Sequence, residues 1–162
     1  EMPSEEFVRI TEGSDFGWPY CFHDPRTGQK LLAPEYGGDG VEIGRCAGMG
    51  MPLIAFPAHW APNDLEFYTG EQFPQRYRGG AFIAFHGSWN RAPLPQEGAN
   101  VVFVPRSDDG FGPEWEVFAE GQTDWAETRD HRPTGVVVGP DGSLYVADDA
   151  GGRIWRVVYR GS

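Results

Sequence analysis

Basic residues are scarce in this chain of 162 residues, where 13 Lys and Arg stand against 24 Asp and Glu for a net charge of -11. That balance opposes nucleic acid and anionic membrane surfaces, which recruit positive charge. Cysteine is scarce as well, with Cys21 and Cys46 the only two. Neither sits in a CxxC or CxxCH pattern, which argues against a zinc or haem site. No run approaches the roughly 18 consecutive apolar residues of a spanning helix. A nucleophile elbow and a Gly-rich phosphate loop are also missing. The 23 Gly and 14 Pro interrupt the sequence so often that no window supports a long amphipathic helix. No signal peptide is visible, and the abrupt opening Glu1-Met2-Pro3 leads us to expect a piece of a longer chain.

What remains is a folding chain with 40% hydrophobic and 14% aromatic residues, enough for a sizeable core. The pattern predicts an all-β, loop-rich fold. Its clearest stretch is 132–159, RPTGVVVGPDGSLYVADDAGGRIWRVVY. Strands are predicted at 134–138, 143–147 and 153–159, separated by Gly139-Pro140-Asp141-Gly142 and Asp148-Asp149-Ala150-Gly151-Gly152, two turn signals. Side chains alternate along them, with Leu144 and Val146 on one face and Tyr145 and Ala147 on the other. Such a meander cannot bury both faces alone, which points to a propeller blade.

Earlier in the chain, Phe7-Val8-Arg9-Ile10 predicts a strand stub whose partners precede residue 1. An aromatic cluster at 16–20 leads into a polar loop running to about Arg45, expected to be surface or lid. Further strands are predicted around 52–56, 65–68, 81–85, 100–104 and 115–118, again a meander. Residues 81–91 can be laid on 143–153, and 100–105 on 153–158. This weak repeat implies roughly two blades and a partial one. A disulfide between the two cysteines would close a loop of about 25 residues, worth roughly 3 kcal/mol; two unrelated buried thiols are the other possibility.

The candidate site combines His59-Trp60, His86-Gly87-Ser88-Trp89-Asn90-Arg91 and His131-Arg132. If these three segments are equivalent connections of adjacent blades, they meet at one end of a channel. Flat indoles, amide and imidazole groups and two guanidiniums suit a planar, multiply carboxylated ligand. The bland alternative is that the histidines are packed loop residues and that Arg91 or Arg132 pairs with Asp64 or Asp130. The acidic turns Asp148-Asp149, Asp108-Asp109-Gly110 and Gly37-Gly38-Asp39-Gly40 offer oxygens to calcium, although such turns are usually just solvated.

At Phe16-Gly17-Trp18-Pro19-Tyr20-Cys21, Phe56-Pro57-Ala58-His59-Trp60-Ala61-Pro62, the His86 to Arg91 block and Arg132-Pro133-Thr134-Gly135, the chain resembles the soluble quinoprotein sugar dehydrogenases. It is most similar to their sorbosone dehydrogenase-like branch. The resemblance implies a six-bladed β-propeller, a pyrroloquinoline quinone (PQQ) cofactor with calcium beside it, and oxidation of a sugar or aldehyde by hydride transfer to the quinone. It implies that Arg132 contacts the cofactor carboxylates and that His59, Trp60, His86, Trp89, Asn90 and Arg91 line the same mouth. A neighbouring family arginine falls on Thr134. The family's catalytic histidine belongs to earlier blades, so no catalytic residue is assigned. Residues 1–162 are accordingly expected to be a single propeller portion, the C-terminal half of a periplasmic or secreted dehydrogenase, inactive alone. Its expected partners are a small sugar or aldehyde and either the missing propeller half or a second copy. A non-catalytic propeller module that binds a sugar or a protein loop is the alternative.

Overall fold

The computed structural model describes residues 2–121 and 131–161. The chain divides into two compact units, Glu1–His59 and Trp60–Ser162. Among the described residues the regular structure is antiparallel strand, with three short 3-10 turns at Pro34–Tyr36, Gly44–Cys46 and Gln75–Tyr77. No helix of the described residues is long and apolar enough to cross a membrane.

The first unit holds β1 (Glu5–Phe7), β2 (Cys21–Asp24), β3 (Gln29–Leu32) and β4 (Ile54–Phe56). The strand stub is real but shorter than expected, and it has a partner further along the chain. β1 pairs with β4, setting Phe7 against Ile54, because Phe7 is buried while Ile10 is exposed. The supposed irregular loop after residue 20 also departs from expectation, since β2 and β3 form a hairpin. Its turn is closed by Gly28 N–H donating to Asp24 O at 2.8 Å, with Asp24 Oδ1 accepting from Arg26 N–H at 2.9 Å. Asp-Pro-Arg-Thr-Gly is thus a turn signal of the usual kind. The cysteines do pair, with Cα atoms 5.8 Å apart.

This unit carries an acid-sensitive element. His23 is buried, with Nδ1 2.7 Å from Ser4 Oγ, and burial pulls its pKa below the ordinary 6.5. Lys30 is buried too, and its Nζ donates to both Glu6 oxygens at 2.7 and 2.6 Å. The Arg26 side chain holds Asp24 at about 2, against an ordinary 3.8. Both shifts are depressions, so the unfolded chain takes up each proton first as pH falls. The His23 contribution is complete above 6.5 and is lost below it; that of Asp24 is complete above 3.8 and is lost towards 2. The thermal midpoint is therefore expected to fall in two steps on acidification, and His23→Asn to abolish only the upper one. A midpoint flat between pH 7 and 5 would refute the His23 assignment.

The second unit begins with β5 (Pro62–Phe67), β6 (Ala81–His86) and β7 (Ala99–Val104), followed by the small hairpin of β8 (Arg106–Ser107) and β9 (Gly110–Phe111), then β10 (Glu116–Glu120). Strands β5, β6, β7 and β10 form one four-stranded sheet in chain order, the meander expected. β5 starts at Pro62, earlier than the predicted residue 65, which an edge position tolerates. Asp108 and Asp109 connect β8 to β9, a turn role. A three-stranded sheet follows, from β11 (Pro133–Val138), β12 (Leu144–Asp148) and β13 (Arg153–Val157). Apolar side chains of the two sheets share a core that includes Phe82, Phe103, Tyr68, Val136, Leu144 and Val146. At the adjoining edges, Asp64 Oδ2 accepts Val136 N–H at 2.9 Å and Glu66 Oε1 accepts Val138 N–H at 3.4 Å. Strand-edge donors that a neighbouring strand would otherwise satisfy are met by β5 carboxylates.

Candidate functional site

The repeat within the sequence proves structural. Laying 81–91 on 143–153 puts His86 on Asp148, and each is the last residue of the second strand of its sheet. One assumption fails, however: the three candidate segments are not equivalent connections. His59-Trp60 and His131-Arg132 each precede the first strand of a sheet, whereas His86 ends a second strand. The counterpart of the His86 loop is the Asp148-Asp149 turn.

His86, Arg132, His131 and that turn nevertheless come together at one end of the second unit. Arg132 donates Nε–H to His86 O at 2.9 Å and Nη2–H to Gly87 O at 2.8 Å. Its backbone N–H donates to Asp148 Oδ1 at 2.9 Å, and its carbonyl accepts Asp149 N–H at 3.3 Å. Asp148 is buried and also accepts from Gly151 N–H at 3.1 Å and Trp155 Nε1–H at 3.3 Å, with His131 Nδ1 2.7 Å away. Burial by itself would raise the Asp148 pKa, but these donors outweigh it and hold the group below the usual carboxylate range. An ionised carboxylate only accepts, so His131 carries its proton on Nδ1. His86 Nε2 lies 3.0 Å from both Asp149 oxygens. The second turn, Asp141-Gly142-Ser143, is held by the same means: Ser143 and Arg156 bring Asp141 to about 2.

The glycine of the His-Gly-Ser-Trp-Asn-Arg block has a clear physical reason. Gly87 sits at φ +84°, and a Cβ there would lie 2.8 Å from Ala99 N. Only glycine lets the strand end turn so that its N–H reaches Trp60 O at 2.8 Å while its carbonyl meets Arg132. Residues 87–98 are then braced from inside. Ser88 N–H donates to Glu97 O at 2.8 Å and Glu97 N–H to Ser88 Oγ at 2.8 Å. Arg91 Nη1 reaches Pro95 O at 2.7 Å and Glu97 Oε2 at 2.9 Å, so its guanidinium is turned into its own loop. Trp89 is left 75% exposed beside the exposed Asn90.

Trp60 is placed differently. It is buried, edge-on to Phe85 at 5.5 Å and Trp115 at 5.6 Å, and Gly98 lies flat against it, since a Cβ there would be 2.3 Å from the indole. Its Nε1 has no hydrogen-bond partner among the described residues. His59, the last residue of the first unit, adopts a positive φ of 66°. Asp64 bonds Leu65 and Val136 N–H groups. Asp130, its alternative as an arginine partner, lies outside the described residues.

Residues 3–160 match the TrAA12-like family model. The chain belongs to the TrAA12-like family. A relative of the family member described here is an uncharacterised protein of Borreliella burgdorferi, 31% identical over 98% of this chain and 40% of its own length. A PQQ-dependent pyranose dehydrogenase of Coprinopsis cinerea is 32% identical over 65% of this chain and 16% of that protein. Among solved structures, a carbohydrate-active enzyme of family AA12 from Trichoderma reesei superposes with a TM-score of 0.66, at 24% identity, over 88% of this chain and 38% of that one. A glucose dehydrogenase superposes at 0.62, with 23% identity, over 96% and 38%. These two share the fold. The TrAA12-like chain thus spans 40% or less of each of these relatives.

PQQ and calcium, both expected from the motifs, fare differently against these residues. A planar polycarboxylate fits. Two Arg132 side-chain bonds to the His86 and Gly87 carbonyls fix the plane of the guanidinium, and an exposed indole and amide stand on the adjoining loop. For calcium no side-chain cage is seen among the described residues. Among the described residues no group of three or more His, Cys, Asp or Glu could hold a metal. The acidic turns also have other work: Asp148 is surrounded by donors, and Asp39 Oδ1 accepts N–H groups of Val41 and Glu42 at 3.0 and 2.8 Å.

Proposed function

We propose that this chain forms part of the rim of a PQQ site in an oxidoreductase acting on sugars or aldehydes. The observation that supports it is the Arg132 guanidinium, oriented by the His86 and Gly87 carbonyls next to a braced loop that exposes Trp89. When bound, the quinone supplies the two-electron acceptor for substrate oxidation. Arg132 would pair with a cofactor carboxylate, Trp89 lie against the ring plane, and Asn90 bond a polar edge. His86, steadied by Asp149, would border the same space. Trp60 and Arg91 act inside the fold, supporting the loop. The base that removes the substrate proton belongs, in this proposal, to residues outside 1–162, so the chain alone would be inactive. The PQQ dependence named for the Coprinopsis cinerea relative supports the cofactor; the sorbosone-like branch rests on the motifs alone. A portion of a six-bladed propeller, completed by the rest of the protein or a second copy, belongs to the same proposal. The Cys21–Cys46 disulfide favours a periplasmic or secreted setting, where oxidised cysteines persist.

The test is a PQQ titration of the full-length protein followed by tryptophan quenching, to which the exposed Trp89 should respond more than buried Trp60. Arg132→Ala removes a charge-assisted pair worth about 1.5–3 kcal/mol, so Kd should rise about 10- to 100-fold. An unchanged Kd in a folded variant would overturn the proposal.

A further inference from the structure

Nothing about Arg132 is left to chance by the surrounding backbone. A long arginine side chain carries about 2 kcal/mol of rotamer entropy, and an anion site that must freeze it on binding loses affinity. Here both backbone groups of Arg132 are tied to the turn after β12, its N–H to Asp148 Oδ1 at 2.9 Å and its carbonyl to Asp149 N–H at 3.3 Å. Its side chain is tied to the end of β6 at Nε and Nη2. Asp148 anchors more than Arg132, since it also orients His131 and Trp155, which stand edge to face with ring centroids 5.4 Å apart.

We propose that Asp148 is a positioning residue for Arg132: it fixes the arginine backbone while the β6 carbonyls fix its guanidinium, so the fork meets a ligand carboxylate already oriented. This rests on the reading of Arg132 as the carboxylate contact. It gives the Asp148-Asp149 turn a role in place of calcium binding, and gives the His86-Gly87 pair one through its carbonyls as well as its side chain. A cap of the β12–β13 turn, through Gly151 N–H, is the merely structural alternative, and the two differ in how mutations combine.

The experiment is a double-mutant cycle in the full-length protein with PQQ as the probe, the thermal midpoint of each variant being measured alongside. Asp148→Ala should raise Kd at least about tenfold, and Asp148→Asn, which keeps an oxygen facing the Arg132 N–H, should recover most of that loss. Because Asp148 acts through Arg132, adding Asp148→Ala to Arg132→Lys should cost less than about threefold more. Fully multiplicative effects, or an unchanged Kd in Asp148→Ala, would overturn the inference while leaving the PQQ reading intact. An unchanged Kd in Arg132→Lys and Arg132→Ala would overturn both. If Asp148→Ala does not fold, the wild-type protein decides by nitrogen-15 NMR. One slowly exchanging Arg132 Nε–H resonance before PQQ is added supports the preset arginine, and an averaged, fast-exchanging resonance that sharpens only with PQQ refutes it.

Discussion

Replacing Phe82 by Ala is expected to destabilise the protein by about 3–5 kcal/mol, the range for removing a buried aromatic ring. Phe82 is fully buried at the second position of β6. Its ring meets Phe118 at 4.8 Å, Phe103 at 5.0 Å, and Tyr68 and Tyr77 at 5.9 Å. Phe103 and Phe118 are held by the β7 and β10 ladders, and Tyr68 and Tyr77 by backbone bonds of the connection between β5 and β6, so they cannot close over the cavity by a local shift. The size of the loss therefore belongs at the upper end of core truncations. Phe82→Leu, which keeps most of the volume, should cost less than half as much. Urea unfolding of the three proteins checks this, and a loss below about 1 kcal/mol for Phe82→Ala would mean that the cluster is not the core of the second unit.

The disulfide is expected to contribute about 3 kcal/mol, the loop-closure value for its separation of 25 residues. The bond joins the β2–β3 hairpin to the segment before β4, which Leu32 N–H also meets at Glu42 O, 2.8 Å away. The cluster around it consists of Cys21, Leu32 and Cys46, with Tyr20, Ile43 and Met49 packed alongside, and Arg45 lies 3.8 Å above the Tyr20 ring. Gly17 approaches so closely that a Cβ would be 2.6 Å from Cys21 Cβ, which accounts for the glycine in Phe-Gly-Trp-Pro. The double variant Cys21→Ala with Cys46→Ala should shift the denaturant midpoint of the first unit to lower urea. Equal stability of the variant and the oxidised protein would refute the assignment.

The paired cysteines also show where the sequence stopped short. Two thiols in Gly- and Pro-rich segments are equally compatible with a bond and with separate burial, and only the fold brings their Cα atoms within bonding range. The β2–β3 hairpin escaped notice for a related reason. Its inward residues include His23, Asp24 and Lys30, all buried, and polar residues erase the apolar alternation by which strands are recognised. In contrast, β6, β7, β11 and β12 are evident from their apolar runs and their Gly-Pro-Asp-Gly and Asp-Asp-Ala-Gly-Gly boundaries, because turn chemistry and side-chain alternation are local properties.

The same division holds at the candidate site. His86, Arg132 and the exposed Trp89 and Asn90 are identifiable as loop residues bearing the right chemistry. Asp148 could have been found by following the internal repeat, which sets it on His86. Trp60 and Arg91 have equally suitable chemistry, yet one is packed beneath Gly98 and the other bonded within its loop.

Composition and local pattern by themselves determined the all-β class and the two meanders of the second unit, since each depends on neighbours a few residues apart. Tertiary structure alone decided which thiols joined, which polar residues were buried, and which of several similar side chains faced outward. Those outcomes depend on contacts between segments up to 87 residues apart, as in Gln72 to Tyr159, and the spacing of residues along a chain does not encode the direction in which a side chain finds its partner.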